Sequence, residues 1–400
     1  MSAVTLTRKL IPCVVQQSPI TIEARVPVVE ASWRVHSNPT GGHDRPHAVC
    51  EAEGYVYVVG DQDSGGGAYR SRALSRVVKP SRRVGVALAV VALVLIVLAL
   101  VPLPEVGEPL EVLAKPGGRF LELDGFRVYY VDRGSGDVTY VLLHGFGAST
   151  FSWRYFLEEL PGYGRVVAYD RPGFGLTERV DPSRLPYNPY TSDGAVEMLR
   201  RLMEVLDIRR AVLVGHSAGG GLALLFALRY PELVECLVLI APAWRGWSRP
   251  WYWDLLLNLP LSERLGPLLV RQYVGALEQV LYRAWYNKTL LTEEVIEGYR
   301  YPLKARNWDR GLFWVVKYGG FPDISGELRR VRVPVLVVHG EHDELVPLQS
   351  SQELYRALAN YTKVSLRVVP GVGHLPHEEA PAKTLCEVLS FLEELGLLRR

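Results

Sequence analysis

A serine between glycines carries the clearest chemical signal in this chain of 400 residues. Residues 215–219 read Gly-His-Ser-Ala-Gly, after the apolar run 211–214 and before an Ala/Leu-rich stretch. Small residues at Gly215 and Gly219 allow a strand and a helix to approach closely around a sharp, strained turn. The pattern predicts that Ser217 is an exposed nucleophile; the structural alternative is an ordinary serine N-cap of a helix.

A serine hydroxyl attacks a carbonyl only when a base removes its proton. Two later strand-like runs, 333–339 and 364–369, end shortly before Asp343 and His374. The carboxyl ends of strands in an open α/β sheet meet at one edge, so we expect both side chains near Ser217. His374 would be the general base and Asp343 its orienting acid. Nearby residues of the same types are alternatives for these roles: His377, Glu341 and Glu344.

The negative oxygen formed during such an attack needs hydrogen-bond donors. The N–H of Ala218, directly after the serine, is one candidate. The run 138–143 leads into His144-Gly-Phe-Gly147, where Phe146 can supply the second N–H of an oxyanion hole. His144 and His216 are interpreted as packing residues. The sequence shows neither a metal-ligand set nor a phosphate-binding glycine loop in this region, so we expect no metal and no cofactor.

From about residue 119 to its end, the chain resembles the α/β-hydrolase superfamily. The resemblance depends on five motifs: His144-Gly-Phe-Gly147, Asp170-Arg-Pro-Gly-Phe-Gly175, Gly215-His-Ser-Ala-Gly-Gly220, Gly340-Glu-His-Asp343 and Gly373-His-Leu-Pro-His-Glu-Glu-Ala-Pro381. It implies the roles given above to Ser217, His374 and Asp343, and a structural role for Asp170 in bracing the turn after it.

Within that superfamily, three residues narrow the subgroup. Haloalkane dehalogenases and epoxide hydrolases carry aspartate where Ser217 stands. Carbon–carbon bond hydrolases typically show asparagine at the position of His216, and prolyl iminopeptidases a tryptophan at that of Ala218. The resemblance therefore favours the carboxylesterases, lipases and perhydrolases.

Alternating apolar strand-like runs and helical stretches predict an α/β fold, with a mostly parallel central sheet covered by helices on both faces. The first half of the core is assigned to residues 119–241 and the second half to 331–400. Between them, at 242–330, the strand signal vanishes, which indicates a helical cap or lid.

The cap holds seven of the nine tryptophans. Aromatic rings there would suit an apolar substrate, and Trp244, Trp251 and Trp285 are the candidates for substrate binding. The alternative is that these rings only pack the cap onto the core. The apolar stretch 251–261 could lie at a membrane interface, with ordinary burial as the alternative.

Residues 84–101 form an apolar run of eighteen residues without a charge. A helix of this length is roughly 27 Å long, which matches the hydrocarbon core of a bilayer. The run predicts one transmembrane helix, followed by an irregular tether at 102–118. Basic residues before the run and acidic residues after it place the N-terminus in the cytoplasm and the hydrolase outside. A cleavable signal peptide is the alternative, although the run is longer than a usual signal-peptide core.

The remaining sequence sets broad limits. A net charge of +2 argues against a nucleic-acid partner. Four cysteines without paired spacing, with Cys236 in a predicted strand and Cys386 in a predicted helix, indicate buried free thiols rather than disulfides. Residues 1–83 are expected to be a flexible tail with one strand at 54–59. A metal site there is less plausible than a solvated tail; its candidate ligands are His36, His43, His47 and Cys50. The sequence leaves the oligomeric state open.

The sequence thus predicts a membrane-anchored serine hydrolase that cleaves carboxylic esters of apolar, small-to-medium substrates through an acyl-enzyme. Three alternatives remain: carbon–carbon bond hydrolysis, transfer of the acyl group to another acceptor such as peroxide, and ligand binding without turnover.

Overall fold

The computed structural model describes residues 104–246, 250–259, 261–272 and 274–398, with shorter pieces at 48–52, 55–59, 83, 86–87, 89–91 and 93. The chain divides into two compact units, Met1–Leu95 and Ile96–Arg400. In the first unit, strand β1 (Ala48–Ala52) pairs antiparallel with β2 (Tyr55–Val59). The strand predicted at 54–59 is therefore present as β2, whereas its partner β1 was not predicted.

The second unit is built on an eight-stranded sheet. Its strands are β3 (Gly118–Leu123), β4 (Phe126–Arg133), β5 (Thr139–Leu143), β6 (Arg165–Tyr169), β7 (Ala211–His216), β8 (Val234–Ile240), β9 (Val335–Gly340) and β10 (Val364–Val369). They lie in the order β10-β9-β8-β7-β5-β6-β4-β3. The six strands from β10 to β6 are parallel, and β4 and β3 are added antiparallel at one edge. The mostly parallel sheet predicted from the sequence is confirmed.

The hairpin at the sheet edge depends on its two-residue turn. Leu123 pairs with Phe126, so Asp124 and Gly125 alone reverse the chain. Their φ angles are 50° and 97°. Positive φ at both positions twists the turn in the same sense as the strands, and Asp-Gly is a preferred sequence for it.

Helices cover both faces of the sheet, as predicted. Outside the cap they are α1 (Leu110–Leu113), α2 (Arg154–Glu159), α3 (Ser192–Val205), α4 (Ala218–Arg229), α10 (Leu348–Leu358), α11 (Pro376–Glu379) and α12 (Pro381–Glu394). The side chains of α3, α4 and α10 pack in one hydrophobic core, and those of α2 and α12 in another on the opposite face. The central parallel strands β7 and β9 are buried throughout because each face has its own layer of helices, whereas the edge strand β10 is mostly half-buried.

The cap follows β8 and consists of helices. They are α5 (Trp251–Leu257), α6 (Ser262–Gln272), α7 (Val274–Ala284), α8 (Glu293–Arg300) and α9 (Trp308–Tyr318). The described residues between 241 and 334 contain no strand. A cluster of buried side chains from α7 and α8 includes Ala148 and Leu375 of the core, so the cap is packed firmly onto the edge of the sheet at which the predicted site lies.

The segment predicted to be an irregular tether is partly ordered against the cap. The N–H of Glu108 donates to Lys304 O at 2.7 Å, and the N–H of Arg306 donates back to Glu108 O at 2.8 Å. The N–H of Asn307 donates to Val106 O at 2.8 Å. A short helix, α1, follows and buries Leu110 and Leu113 in the core. Residues 106–113 therefore belong to the folded unit.

The predicted membrane segment 84–101 lies largely outside the described residues. The six of its residues that are described, 86–87, 89–91 and 93, are helical, and Val86, Val90, Val91 and Leu93 are more than half exposed. Across the part of the chain that the structure describes, no helix has both the length and the apolar character required to cross a membrane.

Candidate active site

Ser217 lies on the sharp turn between β7 and α4. Its backbone has φ 52° and ψ −120°, a conformation that a non-glycine residue rarely adopts. The N–H of Ser217 donates to Ile240 O at 2.9 Å, which holds the turn against the end of β8. A Cβ on Gly215 would lie 2.5 Å from Gly219 O, so only glycine permits this approach of strand and helix. Ser217 and Ala218 stay partly exposed, while His216 and Gly219 on either side are buried.

His374 and Asp343 form a hydrogen-bonded pair beyond the ends of β10 and β9. His374 Nδ1 lies 2.7 Å from Asp343 Oδ2. Because Nδ1 is engaged by the carboxylate, Nε2 is the ring nitrogen available to accept a proton. The geometry is that of a base whose tautomer is fixed by an acid.

The Asp343 carboxylate is buried and receives several further donors. Its Oδ1 accepts the N–H groups of Leu345 and Val346 at 2.8 and 2.9 Å, and His339 Nε2 lies 3.2 Å from Oδ2. Burial by itself would raise the pKa of Asp343, but the hydrogen bonds from His339, His374 and Val346 outweigh it and hold the pKa well below its usual range. Asp343 is therefore ionised at neutral pH.

The alternative acids and the alternative base lie in different environments. Glu341 and Glu344 are exposed; Glu341 accepts the N–H of Gly371, and Glu344 lies 3.9 Å from Arg283. His377 is buried between Trp153 and His216, with ring centroids 4.6 Å from each. Neither of its ring nitrogens has a hydrogen-bond partner in the described part of the chain. Burial lowers the pKa of His377 well below its usual value.

His216 connects the serine turn to the histidine loop. Its Nε2 lies 2.9 Å from the carbonyl of His374, and the two ring centroids are 4.7 Å apart. A Cβ on Gly145 would lie 2.8 Å from His216 Nδ1 and 3.3 Å from Ser217 Cβ. The serine turn, the His374 loop and the loop after β5 therefore meet at one place.

The loop after β5 carries Phe146, the predicted second oxyanion donor. His144 holds this loop: its Nε2 accepts the N–H of Arg171 at 2.9 Å, so Nδ1 carries the proton and donates to Gly145 O at 2.7 Å. Burial lowers the pKa of His144 to about 3, which keeps this tautomer neutral. The N–H groups of Phe146 and Ala218 donate no hydrogen bond within the described residues. Both are available for a substrate oxygen.

Asp170 has the bracing position that the resemblance implies. Its two carboxylate oxygens accept the N–H groups of Thr150 and Leu176 at 2.6 and 2.7 Å. The side chain is buried, and burial raises its pKa. The carboxylate thereby joins the turn after β6 to the loop after β5.

Glu379 is a residue of the site that the sequence analysis missed. Its Oε1 accepts the N–H of Gly373 at 2.9 Å, and its Oε2 accepts the N–H groups of Tyr286 and Asn287 at 3.0 Å. One buried carboxylate thus joins the residue before His374 to the end of cap helix α7. Its position between Pro376 and Pro381 was visible in the sequence, but its burial was not.

A second missed residue is His339, at the end of β9 and four positions before Asp343. Its Nδ1 lies 2.7 Å from Ser351 Oγ, and its Nε2 faces both Val346 O and the Asp343 carboxylate. A histidine at a strand end was the only sequence signal for it. The structure makes it a support for the acid.

The three candidate substrate-binding tryptophans lie in three different environments. Trp244 is buried, and its Nε1 donates to Ser350 O at 3.0 Å within the main core. Trp285 is buried in the cluster that joins the cap to the core, which also contains Leu375 next to His374. Trp251 is 77% exposed on α5. The structure therefore does not gather these rings around one pocket; Trp285 is in the cluster that reaches the residue next to His374.

Comparison with known proteins gives a family match over most of the folded unit. The model of the alpha/beta hydrolase family matches residues 140–388. This range contains Ser217, Asp343 and His374, together with the whole cap.

Individual relatives cover a similar share of the chain. A putative carbamate hydrolase from Caulobacter sp. (strain K31) is 34% identical over 263 residues, which cover 64% of this chain and 90% of the relative. A 2-hydroxy-6-oxononadienedioate/2-hydroxy-6-oxononatrienedioate hydrolase from Comamonas testosteroni is 30% identical and covers 63% of this chain and 86% of its own. The solved meta-cleavage product hydrolase from Pseudomonas fluorescens IP01 has a TM-score of 0.55 and 25% identity, over 70% of this chain and 98% of that protein.

Proposed function

Because this chain belongs to the alpha/beta hydrolase family and is a hydrolase, we propose that it cleaves carboxylic esters of apolar, small-to-medium substrates through a serine acyl-enzyme. The observation that carries this proposal is the buried Asp343–His374 pair beside the strained, partly exposed Ser217 turn.

In the proposed reaction the Ser217 hydroxyl attacks the ester carbonyl while His374 Nε2 takes its proton. The N–H groups of Phe146 and Ala218 stabilise the resulting oxyanion. The intermediate collapses, the C–O bond to the alcohol breaks, and His374 returns the proton to the leaving oxygen. Water then attacks the acyl-enzyme with the same assistance, which releases the acid and restores the hydroxyl. Asp343 remains ionised and stabilises the imidazolium in both halves.

Carbon–carbon bond hydrolysis is the second candidate. It is favoured by relatives such as the one from Comamonas testosteroni, which is named a 2-hydroxy-6-oxononadienedioate/2-hydroxy-6-oxononatrienedioate hydrolase. Against it, His216 stands where such enzymes typically carry asparagine, and here its ring is committed to the carbonyl of His374.

The test uses the full-length enzyme and its Ser217→Ala variant. We expect labelling by a fluorophosphonate probe and hydrolysis of p-nitrophenyl esters, both lost in the variant. A series of acyl chain lengths then separates an esterase from a lipase. A 2-hydroxy-6-oxo dienoate, assayed in parallel, would identify the second candidate if it were the better substrate. Peroxide or an alcohol added as acceptor tests acyl transfer. Full activity of Ser217→Ala would contradict the proposed mechanism.

We further propose that residues 84–101 anchor the chain in a membrane, with the hydrolase on the extracytoplasmic side. The uncharged apolar run and its basic upstream flank support this topology. Cys386 is exposed on the folded unit, while Cys13 and Cys50 precede the run. In intact cells, an impermeant maleimide should label Cys386 and neither of the other two. The reverse labelling would contradict the orientation.

A further inference from the structure

Helix α5 stands out because it is apolar and yet almost entirely exposed. Six of its seven residues are exposed, and Leu257 alone is buried. The exposed apolar side chains of this helix and the turn after it are Trp251 (77%), Tyr252 (48%), Trp253 (43%), Leu255 (60%), Leu256 (51%) and Leu259 (48%). We call these six residues the α5 surface. An exposed apolar patch of this kind marks an interaction site.

The composition of the α5 surface favours lipid as the partner. Tryptophan and tyrosine are the residues enriched where hydrocarbon meets lipid headgroups, because each combines an apolar ring with a polar group. Leucine suits the adjoining acyl region. Asp254 is the one charged residue between 251 and 262.

The path of the chain places the cap close to the proposed anchor. Val106 is hydrogen-bonded to Asn307 of the cap, and the anchor ends at Val101. The five Cα–Cα steps from Val101 to Val106 span at most about 17 Å even when fully extended. Because residues 106–108 are hydrogen-bonded to the cap, Asn307 cannot lie much farther than this from the end of the proposed anchor.

Helix α5 is attached near the same point. Its buried residue, Leu257, packs with Phe313 and Trp314 of helix α9. Asn307 lies directly before α9, and the seven residues from it to Trp314 correspond to about 10 Å along a helix. Helix α5 and the segment that follows the proposed anchor are thus attached to the cap at the two ends of the stretch Asn307–Trp314.

We propose that the α5 surface is a second membrane contact, which lies in the lipid interface and holds the cap against the bilayer. This inference depends on the anchor proposed above. In this inference the aromatic rings of the α5 surface contact lipid and do not bind the substrate.

The experiment uses the intact chain in vesicles of phosphatidylcholine and phosphatidylglycerol whose acyl chains carry bromine, which quenches tryptophan fluorescence. The predicted anchor contains no tryptophan, so quenching does not report on it. We expect quenching in the native chain and its loss in the Trp251→Phe/Trp253→Phe variant, which keeps the surface apolar. Trp308→Phe is the control, since half-buried Trp308 lies outside the surface; its quenching should remain. Leu255→Ser/Leu256→Ser should reduce quenching while keeping both reporters.

Four results would overturn the inference. A chain that floats with the vesicles but is not quenched retains its anchor without the second contact. Unchanged quenching in the double Phe variant would assign the signal to other tryptophans. A detergent-solubilised dimer that Leu255→Ser/Leu256→Ser converts to monomer, without quenching in vesicles, would show that a second copy covers the surface. A chain that does not float excludes both anchor and contact. Quenching does not require the Ser217 hydroxyl, so the Ser217→Ala chain should be quenched as strongly as the native chain. The membrane contact can therefore be tested even if the proposed hydrolysis is wrong.

Discussion

The N–H of His374 donates to the carbonyl of Ala284 at 2.7 Å, so the predicted catalytic base is tied directly to the end of cap helix α7. Next to this bond, Tyr286 stacks on His342 with ring centroids 4.0 Å apart, which joins the same end of the cap to the residue before Asp343. The cap therefore does more than cover the site. It holds the loops that carry both the acid and the base.

Glu379→Gln tests this connection. The amide keeps the shape of the side chain but replaces one carboxylate oxygen by a donor that faces a backbone N–H. We expect kcat to fall by about tenfold to a hundredfold with little change in KM, because misplacing a catalytic group by about 1 Å has effects of this size. The pH profile of kcat/KM should shift with it.

Glu341→Gln is the matched control for Glu379→Gln. Its carboxylate accepts an N–H from the same loop, that of Gly371, but on the solvent side. Activity near that of the native enzyme is expected. If kcat fell equally in both variants, or if Glu379→Gln only reduced the amount of folded protein without changing kcat, Glu379 would have only a structural role.

Asp343→Asn should nearly abolish turnover while leaving the fold intact. The asparagine removes the charge that stabilises the imidazolium and favours the wrong tautomer of His374, which lowers kcat by about 10⁴-fold in comparable triads. The measurement is ester hydrolysis alongside thermal unfolding. Glu344→Gln, at an exposed neighbouring position, should leave the rate unchanged. If the two variants had similar rates, Asp343 would not be the acid.

Three buried histidines make stability depend on pH. Burial lowers the pKa of His144 to about 3 and those of His216 and His377 well below the usual value. Between about pH 7.5 and about pH 5 the unfolded chain takes up protons that these folded residues do not. The free energy of unfolding therefore falls as the pH falls, by up to about 2 kcal/mol for each histidine.

Urea unfolding of the full chain in mild detergent at both pH values measures this loss. His377→Leu removes one of the three groups, and the imidazole it removes has no hydrogen-bond partner among the described residues. The pH-dependent loss should shrink by about 2 kcal/mol in this variant. A loss as large as that of the native chain would mean that His377 is protonated in the folded state.

Gly107→Ala should release the tether from the cap. Gly107 has φ +88°, and a Cβ there would lie 2.5 Å from Ala305 O. We expect faster amide hydrogen exchange at Glu108, Arg306 and Asn307 and a loss of about 1–3 kcal/mol of stability. Gly326→Ala, where a Cβ would meet nothing within 4 Å, should leave exchange in the tether unchanged. Slow exchange retained in Gly107→Ala would exclude a specific attachment.

The core of the fold was predictable because its signals are local. The run predicted at 364–369 is observed as β10 with the same bounds, and the run predicted at 333–339 is observed as β9, shifted by one or two residues. Apolar runs between turn residues define strands without knowledge of their neighbours. Residues at the carboxyl ends of parallel strands then share an edge, which is why Ser217, Asp343 and His374 could be grouped from the sequence.

Contacts between distant residues required the tertiary structure. Glu379 and Tyr286 are 93 positions apart, and nothing near either residue indicates that one binds the backbone of the other. Among three acidic residues in four positions, Asp343 is distinguished by its burial and by its hydrogen bond to His374. The tryptophans of the cap look alike in sequence, yet Trp285 is buried and Trp251 is exposed. Residue type and spacing thus determined the chemistry that this chain carries, and packing decided which side chains meet, because burial and hydrogen bonding depend on neighbours that the order of residues does not reveal.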